Sequence, residues 1–234
     1  MSAATIHLAG ERLFLDPAGG LFWPERRVLV VSDLHFEKGS AAARQGSLLP
    51  PWDTRETLEV LAVLLRRYGP EVVVALGDTF HDDGGVGRLL RADAARLQGM
   101  AEKYEFVWVL GNHDKQPNGL RGASVAAWRA GNLVSRHEAA EGRLAGGIGG
   151  GEISGHYHPK ASVPVRGAVV TRPCFVADAR RVVMPALGAY TGGLDVEDMA
   201  IRRFFPTGGR AFLLGKERVF SFAFGPNRRA AVVA

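Results

Sequence analysis

Three stretches of the chain are unbroken apolar runs rich in β-branched residues: Val28-Leu29-Val30-Val31, Val72-Val73-Val74-Ala75-Leu76 and Phe106-Val107-Trp108-Val109-Leu110. A strand wetted on one face alternates apolar and polar residues, whereas a run without alternation is covered on both faces. The three runs therefore predict central strands. Between the first two, Leu58, Leu61, Ala62 and Leu65 recur at helical spacing. Asp53-Thr54-Arg55-Glu56 is expected to open that helix with an acidic N-cap, and Tyr68-Gly69-Pro70 to close it. A second helix is expected over Arg88 to Lys103, with Leu89, Leu90, Leu97 and Met100 as its apolar positions. Strand, helix, strand, helix, strand is an α/β pattern.

The second half changes character. Leu133 to Arg136, Glu152 to Gly155, Ala168 to Val170 and Arg181 to Met184 are short, β-leaning and separated by Gly and Pro. Gly146 to Gly151 reads as a Gly-rich loop. From Arg202 onward basic and apolar residues alternate without a motif. The expectation is one α/β domain over residues 1–234, richer in strands toward its end. No run approaches the roughly 18 apolar residues of a membrane span. The first residues lack the basic flank and apolar core of a signal peptide, so a cytoplasmic location is expected. Cys174 is the single cysteine, which excludes an intrachain disulfide and a thiolate-ligated zinc ribbon.

The chemistry lies where the apolar runs end. The first ends in Asp33-Leu34-His35, the second in Gly77-Asp78, the third in Gly111-Asn112-His113-Asp114. Later, His137 follows Leu133 to Arg136, and Gly155-His156-Tyr157-His158 follows another short strand. Ligands of open α/β sheets bind beyond the carboxyl ends of the strands, so these scattered residues are expected to converge. Imidazole and carboxylate donors suit divalent manganese, iron and zinc alike. Asp33 and His35 face one side across a single residue, as do His156 and His158. Asp78 can bridge two ions, and Asn112 offers a neutral amide oxygen. This inventory fills two metal positions about 3.5–4 Å apart, as in two-metal hydrolases. Gly77, Gly111 and Gly155 permit close approach of the backbone to ions or phosphate.

In order and spacing, Asp33-x-His35, Gly77-Asp78, Gly111-Asn112-His113-Asp114, His137 and Gly155-His156-x-His158 resemble the signature of the calcineurin-like metallophosphoesterases. The resemblance implies a four-layer α-β-β-α sandwich with two divalent metals, manganese in the first place and iron or zinc otherwise. It implies that Asp33, His35, Asp78 and His158 hold one ion, and Asp78, Asn112, His137 and His156 the other. Glu138 is a rival to His137. His113 would then act on the leaving group as general acid, with Asp114 orienting its ring. Further stretches, among them Ser32 to Gly39, Gly77 to Asp82, Gly151 to Pro159, Arg172 to Phe175 and Pro185 to Leu194, resemble the ligase-associated DNA damage response endonucleases. That subfamily implies DNA as substrate and an associated DNA ligase as partner.

The resulting reading is a phosphodiesterase or endonuclease acting on DNA in repair. The alternative is a small-molecule phosphodiesterase or phosphomonoesterase using the same metal residues. A catalytically inert scaffold would be expected to have lost ligands, and none is missing. The net charge of +5 is compatible with a polyanionic substrate. Lys38 and Arg44 are candidates to hold a substrate phosphate. His81 is assigned a surface or packing role ahead of a place beside the metals. Arg172 carries no role, and Cys174 reads as a small buried apolar residue. Trp23, Trp108 and Trp128 read as packing residues, as does Trp52, with base stacking its alternative.

Overall fold

The computed structural model describes residues 2–142 and 149–225. Part of the expected Gly-rich loop, residues 146–148, therefore lies outside the described residues. The first sheet has seven strands in sequential order: β1 (Ala4–Leu8), β2 (Glu11–Leu15), β3 (Leu21–Trp23), β4 (Val28–Ser32), β5 (Val72–Leu76), β6 (Glu105–Val109) and β7 (Ala123–Val125). β1 to β4 pair antiparallel, and β4 to β7 pair parallel. The connections between the parallel strands carry α1 (Lys38–Arg44), α2 (Asp53–Tyr68) and α3 (Arg91–Lys103).

The second sheet is built from β8 (Ala127–Ala130), β9 (Leu133–Arg136), β10 (Gly151–Ser154), β11 (Lys160–Val165), β12 (Ala168–Ala177), β13 (Arg181–Val183), β14 (Gly209–Leu214) and β15 (Val219–Phe224), with a short α4 (Met199–Arg202) before β14. Its path is β15-β14-β12-β13-β10-β9-β8, with β11 paired to β12. Here β9, β10 and β13 are parallel and the other pairings antiparallel.

The apolar runs divide their side chains between two cores, as the two-residue period of a strand requires. Val28 and Val30 face the second sheet, in a core shared with Val74, Val107, Ile153, Phe175, Val182 and Phe212. Leu29 and Val31 face the helices, packing with Val73, Ala75, Leu58, Leu61, Leu65 and Leu97. A third core on the outer face of the second sheet joins Val176, Val183, Ala211 and Leu213 to Ile201, Phe204 and Phe205. The layers are thus helices, sheet, sheet and a thin outer cover around α4. This is the α-β-β-α arrangement, with its last layer reduced to one short helix and its flanks.

Local details depart from expectation. Asp53 does not cap α2. It is the first residue of the helix behind Trp52, and its carboxylate accepts from the Gly39 amide at 3.2 Å, so it ties α1 to α2 instead. The second helix begins at Arg91 and not Arg88. Residues Val86–Arg88 form a separate 3-10 turn, and Leu90 is left exposed. Gly69 closes α2 in the left-handed conformation, its amide donating to the Leu65 carbonyl. The segment after Arg202, read as featureless, forms the β14–β15 hairpin. Trp23 and Trp108 are fully buried, whereas Trp52 is half exposed beneath the Arg55 guanidinium. Cys174 is fully buried, and burial raises its thiol pKa. Among the described residues no helix is long and apolar enough to cross a membrane.

Candidate metal centre

The carboxyl ends of β4, β5, β6, β9 and β10 meet along one edge where the two sheets face each other. Asp33, His35, Asp78, His156 and His158 all have positive φ, between 44° and 71°. Non-glycine residues seldom adopt that conformation, and it persists only where the surroundings enforce it. The enforcement is visible. The His35 amide donates to the Asp78 carbonyl at 2.9 Å, and the Phe36 amide to the Thr79 carbonyl at 2.9 Å. The Gly155 amide donates to the His137 carbonyl at 2.8 Å, and the Gly188 amide to the Asp33 carbonyl at 3.0 Å. A Cβ at Gly155 would stand 1.9 Å from Ser32 Oγ and 2.5 Å from Asp33 Oδ2, and one at Gly77 2.5 Å from the His137 ring. Glycine at these exits is what lets the strands close on the donor side chains.

Two groups of donors result: Asp33, His35 and His158, and Asp78, His137 and His156. In each, the donor atoms lie within 4.8 Å of one another. His35 Nε2 is 3.3 Å from His158 Nε2, which is 3.3 Å from Asp33 Oδ1. His137 Nε2 is 2.8 Å from Asn112 Oδ1 and 3.2 Å from His156 Nδ1, and His156 Nδ1 is 2.8 Å from the same amide oxygen. Asp78 Oδ2 stands between the groups, 3.4 Å from His137 Nε2 and 3.8 Å from His35 Nε2.

The hydrogen bonds behind these atoms test whether metals fit. His137 Nδ1 lies 2.9 Å from the Leu76 carbonyl, which can only accept, so Nδ1 carries the proton and Nε2 presents a lone pair. Nε2 faces the Asn112 amide oxygen at 2.8 Å and an Asp78 carboxylate oxygen at 3.4 Å, a convergence of donors that a cation would fill. Burial, reinforced by His158, His113 and His81, pushes the His35 pKa down to about 3. Burial and His137 lower that of His156. Both rings are therefore neutral ligands near pH 7. Burial alone would raise the Asp33 carboxyl, but His158, with help from His137 and Ser32, holds it below its usual range. Imidazole nitrogens, carboxylates and one amide oxygen are a donor set that fits two divalent cations.

Around this core the assignments differ in outcome. His137 lies inside the second group, whereas Glu138 accepts from the Tyr157 hydroxyl at 3.3 Å. His113 Nε2 faces Asp78 Oδ2 at 4.0 Å. The expectation that Asp114 orients the His113 ring is not met. Asp114 accepts from the Thr79 amide at 2.8 Å and the Gly111 amide at 3.1 Å, so it braces the backbone of two exit loops. Burial, which these amides oppose, raises its pKa. The partner of His113 Nδ1 is the His81 carbonyl at 2.8 Å. The His81 ring stacks on that of His113 with centroids 5.1 Å apart, and its Nδ1 is 3.4 Å from His35 Nδ1. His81 therefore belongs to the site, contrary to its assignment to surface or packing. Its place three residues after Asp78, on the same exit loop, was the available signal. Lys38 is half-buried at the start of α1, Arg44 ends that helix, and Arg172 is exposed on β12.

Two Asp/His donor groups at the strand ends fit a metal-dependent hydrolase, and residues 26–166 match the family model described as calcineurin-like phosphoesterase. The chain belongs to that family, and a phosphoester hydrolase requiring metal follows from it. Among solved structures it is similar to the nuclease MPE of Pseudomonas putida, with a TM-score of 0.71 and 26% sequence identity over 94% of this chain and 100% of that one. No curated protein matches significantly.

Proposed function

We propose that this chain is a two-metal phosphodiesterase that cleaves DNA. The observation that carries the reading is Asp78 Oδ2 facing both donor groups, 3.4 Å from His137 Nε2 and 3.8 Å from His35 Nε2. Asp33, His35, Asp78 and His158 would hold one ion, and Asp78, Asn112, His137 and His156 the other. Two divalent ions, when bound, supply Lewis acidity toward the phosphoryl oxygens and a water acidic enough to attack at neutral pH. Manganese is the first choice, though iron or zinc would satisfy the same donors.

The protein's own part is proton transfer and positioning. With Nδ1 donating to the His81 carbonyl, His113 keeps Nε2 on the side of the donor groups, 4.0 Å from Asp78 Oδ2, where a substrate phosphate would lie. Protonated there, it delivers its proton to the leaving oxygen, and the carbonyl behind it stabilises the imidazolium that this requires. Asp114 holds the Gly111 and Thr79 amides and thereby the spacing of the two loops. That the Pseudomonas putida neighbour is a nuclease supports a phosphodiester substrate. The resemblance of the motifs to ligase-associated endonucleases supports a repair role beside a DNA ligase.

Metal analysis of manganese-loaded protein, with turnover on DNA, a small diester and a monoester, tests this reading. Two ions per chain and diester cleavage are expected. His113→Ala should keep both ions while losing about 10²–10⁴-fold in turnover. A single ion per chain, or metal loss in the His113 variant, would overturn the scheme.

A further inference from the structure

The second sheet does not stop at the edge where the donors gather. Val176 of β12 pairs with Val183 of β13, which pairs with Ser154 at the end of β10, so the three lie level beside the exit to His156. β12 runs antiparallel to β13. Its earlier residues, Ala168 to Pro173, therefore continue past that edge. Among the described residues they pair there with β11 alone, from Lys160↔Pro173 to Val165↔Ala168. Arg166 and Gly167 close this ribbon with φ of 47° and 82°, as a two-residue type I′ turn requires. At about 3.3 Å per residue the ribbon is about 20 Å long. Its foot stands beside the donors, since β11 starts two residues after His158 and the Cys174 amide donates to the Pro159 carbonyl at 2.9 Å.

The foot is packed and the tip is not. Ala161 is buried and Val163 packs against the third core. Beyond them Pro164, Val165, Arg166, Ala168 and Val169 are all exposed, Val169 at 73%. Successive strand residues face opposite sides, so the tip is wet on both faces, and two strands without further cover contribute little stability. Its charge has one sign. Between Glu152 and Asp178 the chain holds Lys160, Arg166 and Arg172 and no carboxylate. Arg166 and Arg172 are exposed, and among the described residues their side chains form no ion pair. Asp195, whose backbone bridges to Lys160 at the foot, turns its carboxylate to the Glu197 amide at 2.9 Å. Pro164 removes a donor from the edge strand, which guards against pairing with a second copy.

We infer that the β11–β12 ribbon is an arm that grips the backbone of a nucleic acid reaching well beyond the scissile phosphate. Arg166 and Arg172 meet backbone phosphates, and the exposed valines pack against the sugars between them. A length of about 20 Å corresponds to about six nucleotides at about 3.4 Å per step. The tip is therefore out of reach of a short strand held at the metal positions, while Arg172, close to the foot, is not. This inference rests on the phosphodiesterase reading above and adds to it a surface that selects for substrate length.

Manganese-loaded wild type, Arg166→Asn and Arg166→Asn/Arg172→Gln are compared on oligothymidylates of about 20 and about four nucleotides and on bis(p-nitrophenyl) phosphate, with fluorescence anisotropy of the labelled long strand read beside turnover. Asn suits the left-handed turn position and carries no charge. At about 50 mM salt, affinity and kcat/KM for the long strand should fall about threefold in the single variant and at least about fivefold in the double. The slope of log affinity against log salt should flatten by about 0.7 per arginine removed. Arg166→Asn should match wild type on the short strand, and both variants should match it on the small diester. Equal losses on all three substrates, or no loss on the long strand, would overturn the inference. So would a dimer in sedimentation that Val169→Ser dissociates, because the arm would then serve a second copy. A wild type whose binding of the long strand depends on these arginines, but which turns over no diester, would overturn the phosphodiesterase reading alone. If the double variant lacks a melting transition, Arg172→Gln, which lies outside the turn, is measured by itself against the same slope change of about 0.7.

Discussion

In both sheets the polar residues of the site follow strands that have a parallel neighbour, and strands with antiparallel neighbours alone end in none of them. β4, β5 and β6 deliver Asp33, His35, Asp78, Asn112 and His113, while β9 and β10 deliver His137, His156 and His158. β1 to β3 on one sheet, and β12, β14 and β15 on the other, contribute core residues such as Leu13, Trp23, Phe175 and Phe212. The difference is geometric. Parallel neighbours open all their carboxyl ends on one edge, whereas antiparallel neighbours send alternate exits to opposite edges. A centre needing many donors can be assembled only on the parallel part. Substitutions at the exits should therefore cost function, and substitutions in the antiparallel and outer parts should cost stability.

The largest expected effect falls on Asp78, whose carboxylate oxygen stands between the two donor groups. Asp78→Asn keeps the shape and removes the charge. Both metals should bind more weakly together, and turnover should fall by at least about two to three orders of magnitude. Metal titration and kinetics check this. One ion retained at wild-type affinity would break the shared role of Asp78. With chelator present, the melting temperature should change far less than activity, because the acceptor cluster is then relieved of one charge.

The same division governs what the sequence discloses. The parallel strands are covered on both faces, so their composition alone reveals them, and their exits abut unmistakable runs. The N-terminal strands Ala4–Leu8 and Glu11–Leu15 are half wet, and their partial alternation gives no comparable signal. The alternation after Arg202 did not mark strands covered on one face: in Val219–Phe224, Phe220 and Phe224 share a face, yet Phe220 is exposed and Phe224 buried. Donor identity was legible at the exits because residue type fixes it. Orientation was not. The partner of His113 is a backbone carbonyl, which every residue owns, and Asp114 turned to amides that the sequence does not locate. The second helix began late because Gly84-Gly85-Val86-Gly87 turns the chain first.

A smaller effect follows from protonation. In the folded chain His35 titrates at about 3, against an ordinary 6.5, and burial also depresses His81 and His156. Between those values the unfolded chain binds protons that the folded chain refuses, so stability rises with pH across the window and is lost as pH falls below about 6.5. His35 contributes up to about 1.4 kcal/mol per pH unit, and the more exposed His81 and His156 less. The chelated protein should melt progressively lower from about pH 6.5 to about pH 5, the raised carboxyls of Asp114 and Glu152 opposing the decline in part. Saturating metal should flatten that decline, since it binds the neutral rings of the folded state. His35→Asn should also flatten it in the chelated protein. A melting temperature independent of pH in this range would break the link between the exits and stability.

The smallest effect tests the outer cover. The Asp198 carboxylate accepts from the Ala200 amide at 2.8 Å and so caps α4, a single turn whose Ile201 is fully buried in the third core. Removing such a cap costs about 1 kcal/mol, equivalent to roughly 2–4 °C in melting temperature for a chain of this size. Asp198→Ala should show that shift in a thermal melt. The kcat/KM on a diester substrate should stay within error of wild type, because the Asp198 carboxylate caps α4 and forms no contact with the donor residues, the outer core meeting the exit loop through Tyr157. Asp198→Asn, which keeps the accepting oxygen, should restore most of the melting temperature. If Asp198→Ala lowered activity without lowering the melting temperature, the outer layer would reach the centre by some route other than stability. The separation between exits that work and layers that hold would then fail where the two meet, at Tyr157.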